Sequence, residues 1–205
     1  MNLNYIVVTL MGYLLGSINT AYLLVKTMGK DIRDIGSNNA GASNVFISIG
    51  KKYGVLVGAL DILKGFLAVK LVAFLFPESA LLPVLAGAGA VLGHIFPFWM
   101  KFRGGKGLAT FMGLLLGMDW RYFVAMAILL IAVLLITDFI GLGTITVSVV
   151  MPILLIIQKK DIAIILVFVF LGIVIFCKHI INIRRIINKT EVGFLRKNRD
   201  LLNKK

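Results

Sequence analysis

The sequence predicts an all-α, polytopic membrane protein with seven transmembrane helices, one of them short. The N-terminus is expected outside and the C-terminus in the cytoplasm. Three observations carry this expectation. The chain of 205 residues is 60% hydrophobic and only 15% charged, a balance that soluble globules do not show. Its apolar residues gather into runs close to the roughly 20 residues that a helix needs to cross a bilayer. Its basic residues are divided unevenly among the segments that join those runs.

The first run, 3–25, has no basic stretch before it and is too long for the core of a signal peptide, so it is expected to stay as a helix. Further runs follow at 54–76, 81–100, 121–137, 141–157 and 161–181. The segment 106–118, KGLATFMGLLLGM, is ambiguous by length, and charge decides it. No Lys or Arg precedes the first run, whereas nine occur from Lys178 onward. Positive-inside bias puts the two ends on opposite sides, which requires an odd number of crossings. Counting 106–118 as a short span gives seven. Seventeen loop and tail cations then lie inside and three, Arg121, Lys159 and Lys160, outside. Five spans is the runner-up. The pairs Gly12/Gly16, Gly54/Gly58, Gly89/Gly93 and Gly113/Gly117 read as close helix–helix contacts. Pro97 and Pro152 are places where a helix kinks or breaks. Residues 1–191 read as one membrane-embedded domain and 192–205 as a polar, basic tail. The net charge of +13 fits cytoplasmic loops beside anionic lipid and not nucleic acid, since no aromatic–basic platform lies outside the apolar runs. The single Cys177 forms no intrachain disulfide.

Three polar islands interrupt this chain, and the topology places all three on the cytoplasmic face, where they can build one site. The first is DIRDIGSNNAGASN, residues 31–44. Its small residues and permitted left-handed conformations suit a loop that wraps an anion, with Ser37, Asn39, Gly41 and Asn44 as candidates; an ordinary turn with Ser37 or Asn44 capping a helix is the alternative. The second is GHIFPFWMKFRGGKG, residues 93–107. Arg103, Gly104, Gly105 and Lys106 open the short span, where helix N–H groups and two cations favour an anion. The Lys-Ser/Thr ending of a nucleotide P-loop is absent. His94 reads as a packed or interfacial histidine. The third is KHIINIRR, residues 178–185, in which His179 and Asn182 share a helix face that Arg185 continues. Within a span, Asp61 and Lys64 are three residues apart and form either an internal ion pair or part of a site. Thr144 belongs to a run of hydroxyls that pack helices or face the site. The sequence has no Gly-x-Ser-x-Gly elbow, no metal-binding cluster of Cys and His, and no Asp five residues beyond either histidine.

Taken together these islands resemble the bacterial membrane acyltransferases called PlsY, which use acyl-phosphate to acylate glycerol 3-phosphate. DIRDIGSNNAGASN corresponds to the family's Gly-Ser-Gly-Asn-x-Gly-Ala-Thr-Asn. GHIFPFWMKFRGGKGLAT follows its second motif closely, and HIINIRRIINKTE its third; DILKG also matches. The likeness covers roughly residues 10–191. It implies a seven-helix enzyme of the bacterial inner membrane with its active site facing the cytoplasm, releasing lysophosphatidic acid and phosphate in the first acylation of phospholipid synthesis. By position it implies roles for Ser37, Asn44, Lys106, Thr144, His179 and Asn182. It implies no metal, no cofactor and no obligate protein partner beyond membrane lipid. Four positions depart from the family: Asn38 replaces a usual Gly, Ser43 a usual Thr, Ile47 a usual Arg and Lys189 a usual Gly.

The chemistry to be served is the meeting of two anions. Lys64, Arg103, Lys106 and the loop N–H groups can neutralise both. The hydroxyl proton goes either to His179 or to a phosphate oxygen of the substrate; substrate-assisted removal is favoured, with His179 and Asn182 orienting. Alternatives are a transporter or flippase for a phosphorylated solute, or a paralogue whose catalysis is impaired by Ile47.

Overall fold

The computed structural model describes residues 3–195. Among these residues all regular structure is helical: α1 (Leu3–Gly16), α2 (Thr20–Lys26), α3 (Ala42–Ser48), α4 (Lys51–Leu75), α5 (Leu81–Ile95), α6 (Leu108–Met118), α7 (Trp120–Thr137), α8 (Ile140–Ile157) and α9 (Ile162–Ile187). Two short 3-10 turns lie at Ile32–Asp34 and Phe98–Met100. Five segments are long and apolar enough to cross a membrane: Leu3–Lys26, Leu81–Met100, Trp120–Thr137, Ile140–Ile157 and Ile162–Ile187. With 25 residues α4 has the length as well, but it carries Asp61, Lys64 and Lys70. With 11 residues α6 is short.

The first apolar run is not one helix. It breaks at Ser17–Asn19, and the Asn19 side chain caps α2 by accepting from Tyr22 N at 2.8 Å. Asparagine is a far better cap than helix-interior residue, so a single Asn inside an apolar run can restart it. The two prolines behave differently. Pro97 lies just beyond the end of α5, whereas Pro152 stays inside α8. The missing N–H of Pro152 leaves Ser148 O without its helical donor. Gly172 of α9 packs against that carbonyl, where an added Cβ would come to 2.9 Å.

The chain divides into two compact units, Met1–Phe123 and Val124–Lys205. In the first, α1 and α5 run parallel in backbone contact: a Cβ at Gly12 or Gly16 would strike the carbonyls of Ala86 and Ala90, and one at Gly89 or Gly93 those of Thr9 and Tyr13. Gly113 of α6 faces Ile62 O of α4 in the same way, and Gly117 faces the Val69 side chain. A second apolar cluster of Ala21, Val25, Ile32, Ala40, Val45, Val57 and Met100 ties α2, α3 and α4 to the loops beside them. In the second unit α8 and α9 pack antiparallel, with Gly141 against Asn182 and Gly172 against Ser148. Beyond α9 the chain returns to the α7–α8 turn, where Phe194 N donates to Asp138 O at 2.8 Å and Leu195 N to Asp138 Oδ1 at 2.6 Å. The rest of the expected polar tail, 196–205, lies outside the described residues.

The paired glycines are therefore not equivalent. At Gly58 an added Cβ would meet only Ala42 Cβ, at 3.6 Å. Gly58→Ala is expected to raise stability by about 0.5–1 kcal/mol through helix propensity, and Gly16→Val to lower it by about 1–3 kcal/mol through overpacking. Thermal unfolding of both variants in detergent measures the difference.

Candidate active site

The first loop is built on side-chain braces. Asp31 caps the Ile32–Asp34 turn and pairs with Arg33 at 2.6 Å. The bond from Arg33 holds the Asp31 carboxyl below its ordinary range, against the smaller effect of burial. Arg33 also stacks over the Tyr22 ring at 4.9 Å and donates to Met100 O at 3.4 Å. Asn44 is the centre of the loop. Its Nδ2 donates to Ile32 O, Ile35 O and Asn39 O at 3.2, 2.8 and 3.0 Å, and its Oδ1 accepts from Ser37 N at 3.0 Å and Ser48 Oγ at 3.1 Å. It is buried, and its amide is committed to the loop's own backbone. Gly41 takes the cap position of α3. Ser37 is exposed and Asn39 half-buried. Asn38 adopts φ 62° and donates to Arg33 O at 2.7 Å; asparagine is the side chain that tolerates this left-handed region best after glycine.

The second loop folds back onto the end of α5. Lys101 and Phe102 are both left-handed, at φ 54° and 58°. Gly104 N then donates to Ile95 O at 3.1 Å and Gly105 N to His94 O at 3.0 Å. These two N–H groups thus satisfy the last carbonyls of α5. Gly107, at φ 95°, caps α6, and the first intrahelical bond runs from Phe111 N to Gly107 O at 2.8 Å. The N–H groups of Leu108, Ala109 and Thr110 form the open first turn. Lys106 precedes that turn half-buried, and Arg103 is exposed. The two loops meet at Gly105: its missing Cβ would lie 3.0 Å from Ala40 O, and that of Gly41 would lie 4.0 Å from Gly105 Cα.

Beneath the loops lies a buried polar network. Lys64 Nζ is 2.8 Å from Asp61 Oδ1, donates to Ile18 O at 2.8 Å and lies 3.0 Å from His94 Nδ1. Thr20 Oγ1 donates to Asp61 Oδ1 at 2.7 Å. All three ammonium hydrogens are thus met inside the protein. Among the described residues, Asp61 Oδ2 and Thr110 Oγ1 are the buried side-chain atoms without a hydrogen-bond partner.

In the second unit His179 and Asn182 are buried on one face of α9. His179 Nδ1 lies 2.8 Å from Ile175 O. A carbonyl only accepts, so this nitrogen carries the proton and Nε2 holds the lone pair of the neutral ring. Asn182 Nδ2 donates to Glu191 Oε1 at 2.5 Å. Arg185 is half-buried, and its carbonyl receives Thr190 N at 2.8 Å and Glu191 N at 3.1 Å, which turns the chain back after α9. Thr144 is buried with its hydroxyl on Ile140 O at 2.8 Å, as a helix-packing hydroxyl. Glu191, Asn19 and His94 are the polar residues to which sequence reading gave no role in the site. Asn19 stood out only as an amide inside an apolar run.

Comparison with known proteins is consistent across three kinds of relative. A family model described as glycerol-3-phosphate acyltransferase matches residues 6–189. A Mesorhizobium japonicum protein named glycerol-3-phosphate acyltransferase is 39% identical over 193 residues, covering 93% of this chain and 96% of that protein. A Brucella canis protein of the same name is 40% identical over 181 residues, 88% of each. The crystal structure of PlsY, an integral membrane glycerol 3-phosphate acyltransferase, matches in its glycerol 3-phosphate form with a TM-score of 0.87 at 31% identity, over 93% of this chain and 95% of that one. Its lysophosphatidic acid form matches with a TM-score of 0.83 at 30% identity, over 92% and 94%.

Two substitutions probe the loop ends. Asn44→Asp keeps the acceptor and removes the amide donor that Ile32 O, Ile35 O and Asn39 O share. It is expected to open the loop, with faster amide exchange over 35–41 and loss of activity, each lost bond costing about 1 kcal/mol or more. Lys189 sits at φ 57° just beyond the α9 cap, where glycine avoids the left-handed penalty. Lys189→Gly is expected to stabilise the protein by about 1 kcal/mol, read from its thermal midpoint.

Proposed function

The chain belongs to the glycerol-3-phosphate acyltransferase family, and on that premise we propose that its acyl donor is an acyl-phosphate. The hydroxyl oxygen of glycerol 3-phosphate attacks the acyl carbon. The bond from that carbon to the phosphate oxygen breaks, and inorganic phosphate leaves with the bonding electrons. The hydroxyl proton passes to a phosphate oxygen of the substrate or to His179 Nε2. The product is lysophosphatidic acid.

Phosphate is a good leaving group, so the demand on the protein is electrostatic. Two anions have to be brought together, and this requires fixed positive charge and donors more than a strong acid. Lys106, the first turn of α6 and Arg103 supply these in our reading, with the Ser37 hydroxyl and the Asn39–Gly41 backbone beside them. Asn44 holds that backbone in place and does not itself contact phosphate. His179 and Asn182 orient substrate, the latter held by Glu191. Arg185 and Thr144 shape the same stretch of the second unit.

For the membrane, we propose that the α1–α2 segment, α4, α5, α6, α7, α8 and α9 each cross once, with the C-terminus and the loops 27–50 and 96–107 on the cytoplasmic side of the bacterial inner membrane. The charge distribution supports this sidedness. A transporter is not needed to account for anion-binding loops in a family of acyltransferases.

The observation that carries the reading is Lys106 set between Gly105 and the open N-terminus of α6, at the point where the two loops meet. Lys106→Ala is expected to reduce transfer by about a hundredfold or more, the scale of one charged donor lost from a transition state. Lys70→Ala, on the exposed face of α4, is expected to stay near wild type. Phosphate release from acyl-phosphate, measured with glycerol 3-phosphate present, decides between them, and equal rates in the two variants would remove Lys106 from the site.

A further inference from the structure

Two facts about His94 do not follow from packing alone. Its Nδ1 faces the Lys64 ammonium at 3.0 Å, and its Nε2 occupies the space that a Cβ on Gly105 would need. An ammonium only donates hydrogen bonds, so Nδ1 in this contact accepts. The ring proton of the neutral imidazole therefore resides on Nε2. Asp61 does not reverse this assignment, because its Oδ1 is 3.6 Å from His94 Nδ1, beyond a good hydrogen bond, while it takes Lys64 at 2.8 Å. The N–H of Nε2 is thus delivered to Gly105, the residue where the loops meet, next to Lys106.

The backbone reinforces the placement. Gly105 N donates to the carbonyl of His94 itself, and Gly104 N to that of Ile95. The loop is anchored to the residue whose side chain reaches it, so ring and loop cannot shift independently. Any side chain at 105 would displace the ring from this position. The network behind it is fixed in turn: Lys64 is held by Ile18 O and Asp61, and Asp61 by Thr20.

We propose that His94 is a further substrate-contacting residue, donating a hydrogen bond from Nε2 to a phosphate seated at the Gly105–Lys106 turn, and that Asp61 and Lys64 are positioning residues acting through it by fixing its tautomer. The proposal rests on the acyl-phosphate reading above and names an additional donor for its phosphate chemistry. Both substrates carry a phosphate, and the kinetics distinguish which one His94 holds.

The chain has only two histidines, so nitrogen-15 labelling of histidine gives a spectrum of two imidazoles, assigned with His94→Gln. In wild-type protein, His94 is expected to show Nε2 protonated and Nδ1 accepting, and Lys64→Met is expected to weaken that preference. Adding glycerol 3-phosphate, or a non-hydrolysable acyl-phosphonate, is expected to shift the His94 Nε2 resonance. A proton on Nδ1 would overturn the proposal, and so would an Nε2 resonance unmoved by saturating amounts of both compounds. Kinetics give the second reading. His94→Asn is expected to raise the KM of the bound substrate about ten- to a hundredfold, the range for a hydrogen bond to a charged group. His94→Gln, which places an amide N–H near the Nε2 position, is expected to recover most of that loss. Equal KM values for Gln, Asn and wild type would overturn it. If wild-type protein itself releases no phosphate, the acyl-phosphate reading fails; if it is active and the His94 variants match it, only this inference does.

Discussion

A lysine ammonium buried among apolar helices has to find acceptors within the protein, because an uncompensated charge there costs several kcal/mol by the usual estimates. Lys64 finds three, and each is a structural event elsewhere in the first unit. Ile18 O is available because the first apolar run breaks at Ser17–Asn19. Asp61 lies one turn before Lys64 on the same helix face. His94 lies on α5 at the root of the glycine loop. The same helix break supplies Asn19, whose Nδ2 donates to Ala40 O at 3.0 Å and ties the first loop down. A single buried cation thus sets the position of two loops without belonging to either.

The loops themselves owe their shape to braces and less to glycine flexibility. Asn44 makes five hydrogen bonds, four to the first loop and one to Ser48 of α3. Gly104 and Gly105 lack side chains because His94 and the end of α5 fill that space. Glycine there permits close approach of backbone to backbone, as it does between α1 and α5. Gly36 and Gly107 are needed for their left-handed angles, φ 59° and 95°. The N–H groups of Gly104 and Gly105 are already committed to the carbonyls at the end of α5.

Much of this was legible in the sequence. The apolar runs 121–137 and 141–157 match α7 (Trp120–Thr137) and α8 (Ile140–Ile157) within a residue, since hydropathy over a full span is a strong signal. The ambiguous run 106–118 is indeed a separate short helix. The polar islands were visible because Asn, Gly and Arg are costly in such a chain. The break at Asn19 was not visible, since two polar residues hardly change a span's average hydropathy. Nor were the partners of Lys64: Asp61 could be named from its spacing, but Ile18 and His94 are 46 and 30 residues distant. The internal commitment of Asn44 was hidden for the same reason, because a residue type suited to binding an anion is equally suited to binding backbone.

The two histidines show how one side chain acquires opposite capacities from its surroundings. Each is buried, and each has Nδ1 engaged at about hydrogen-bond distance. At His179 the neighbour of Nδ1 is a backbone carbonyl, an acceptor, so Nδ1 holds the proton. At His94 the neighbour is an ammonium, a donor, so the proton moves to Nε2 and that nitrogen becomes a donor. A carbonyl thus makes one imidazole an acceptor at its other nitrogen, and an ammonium makes the other a donor. The choice between them is made by the atom behind the ring, one turn of helix away in the first case and a buried lysine in the second. For that reason Lys64 and Asp61 matter to the chemistry even though their charges are turned inward.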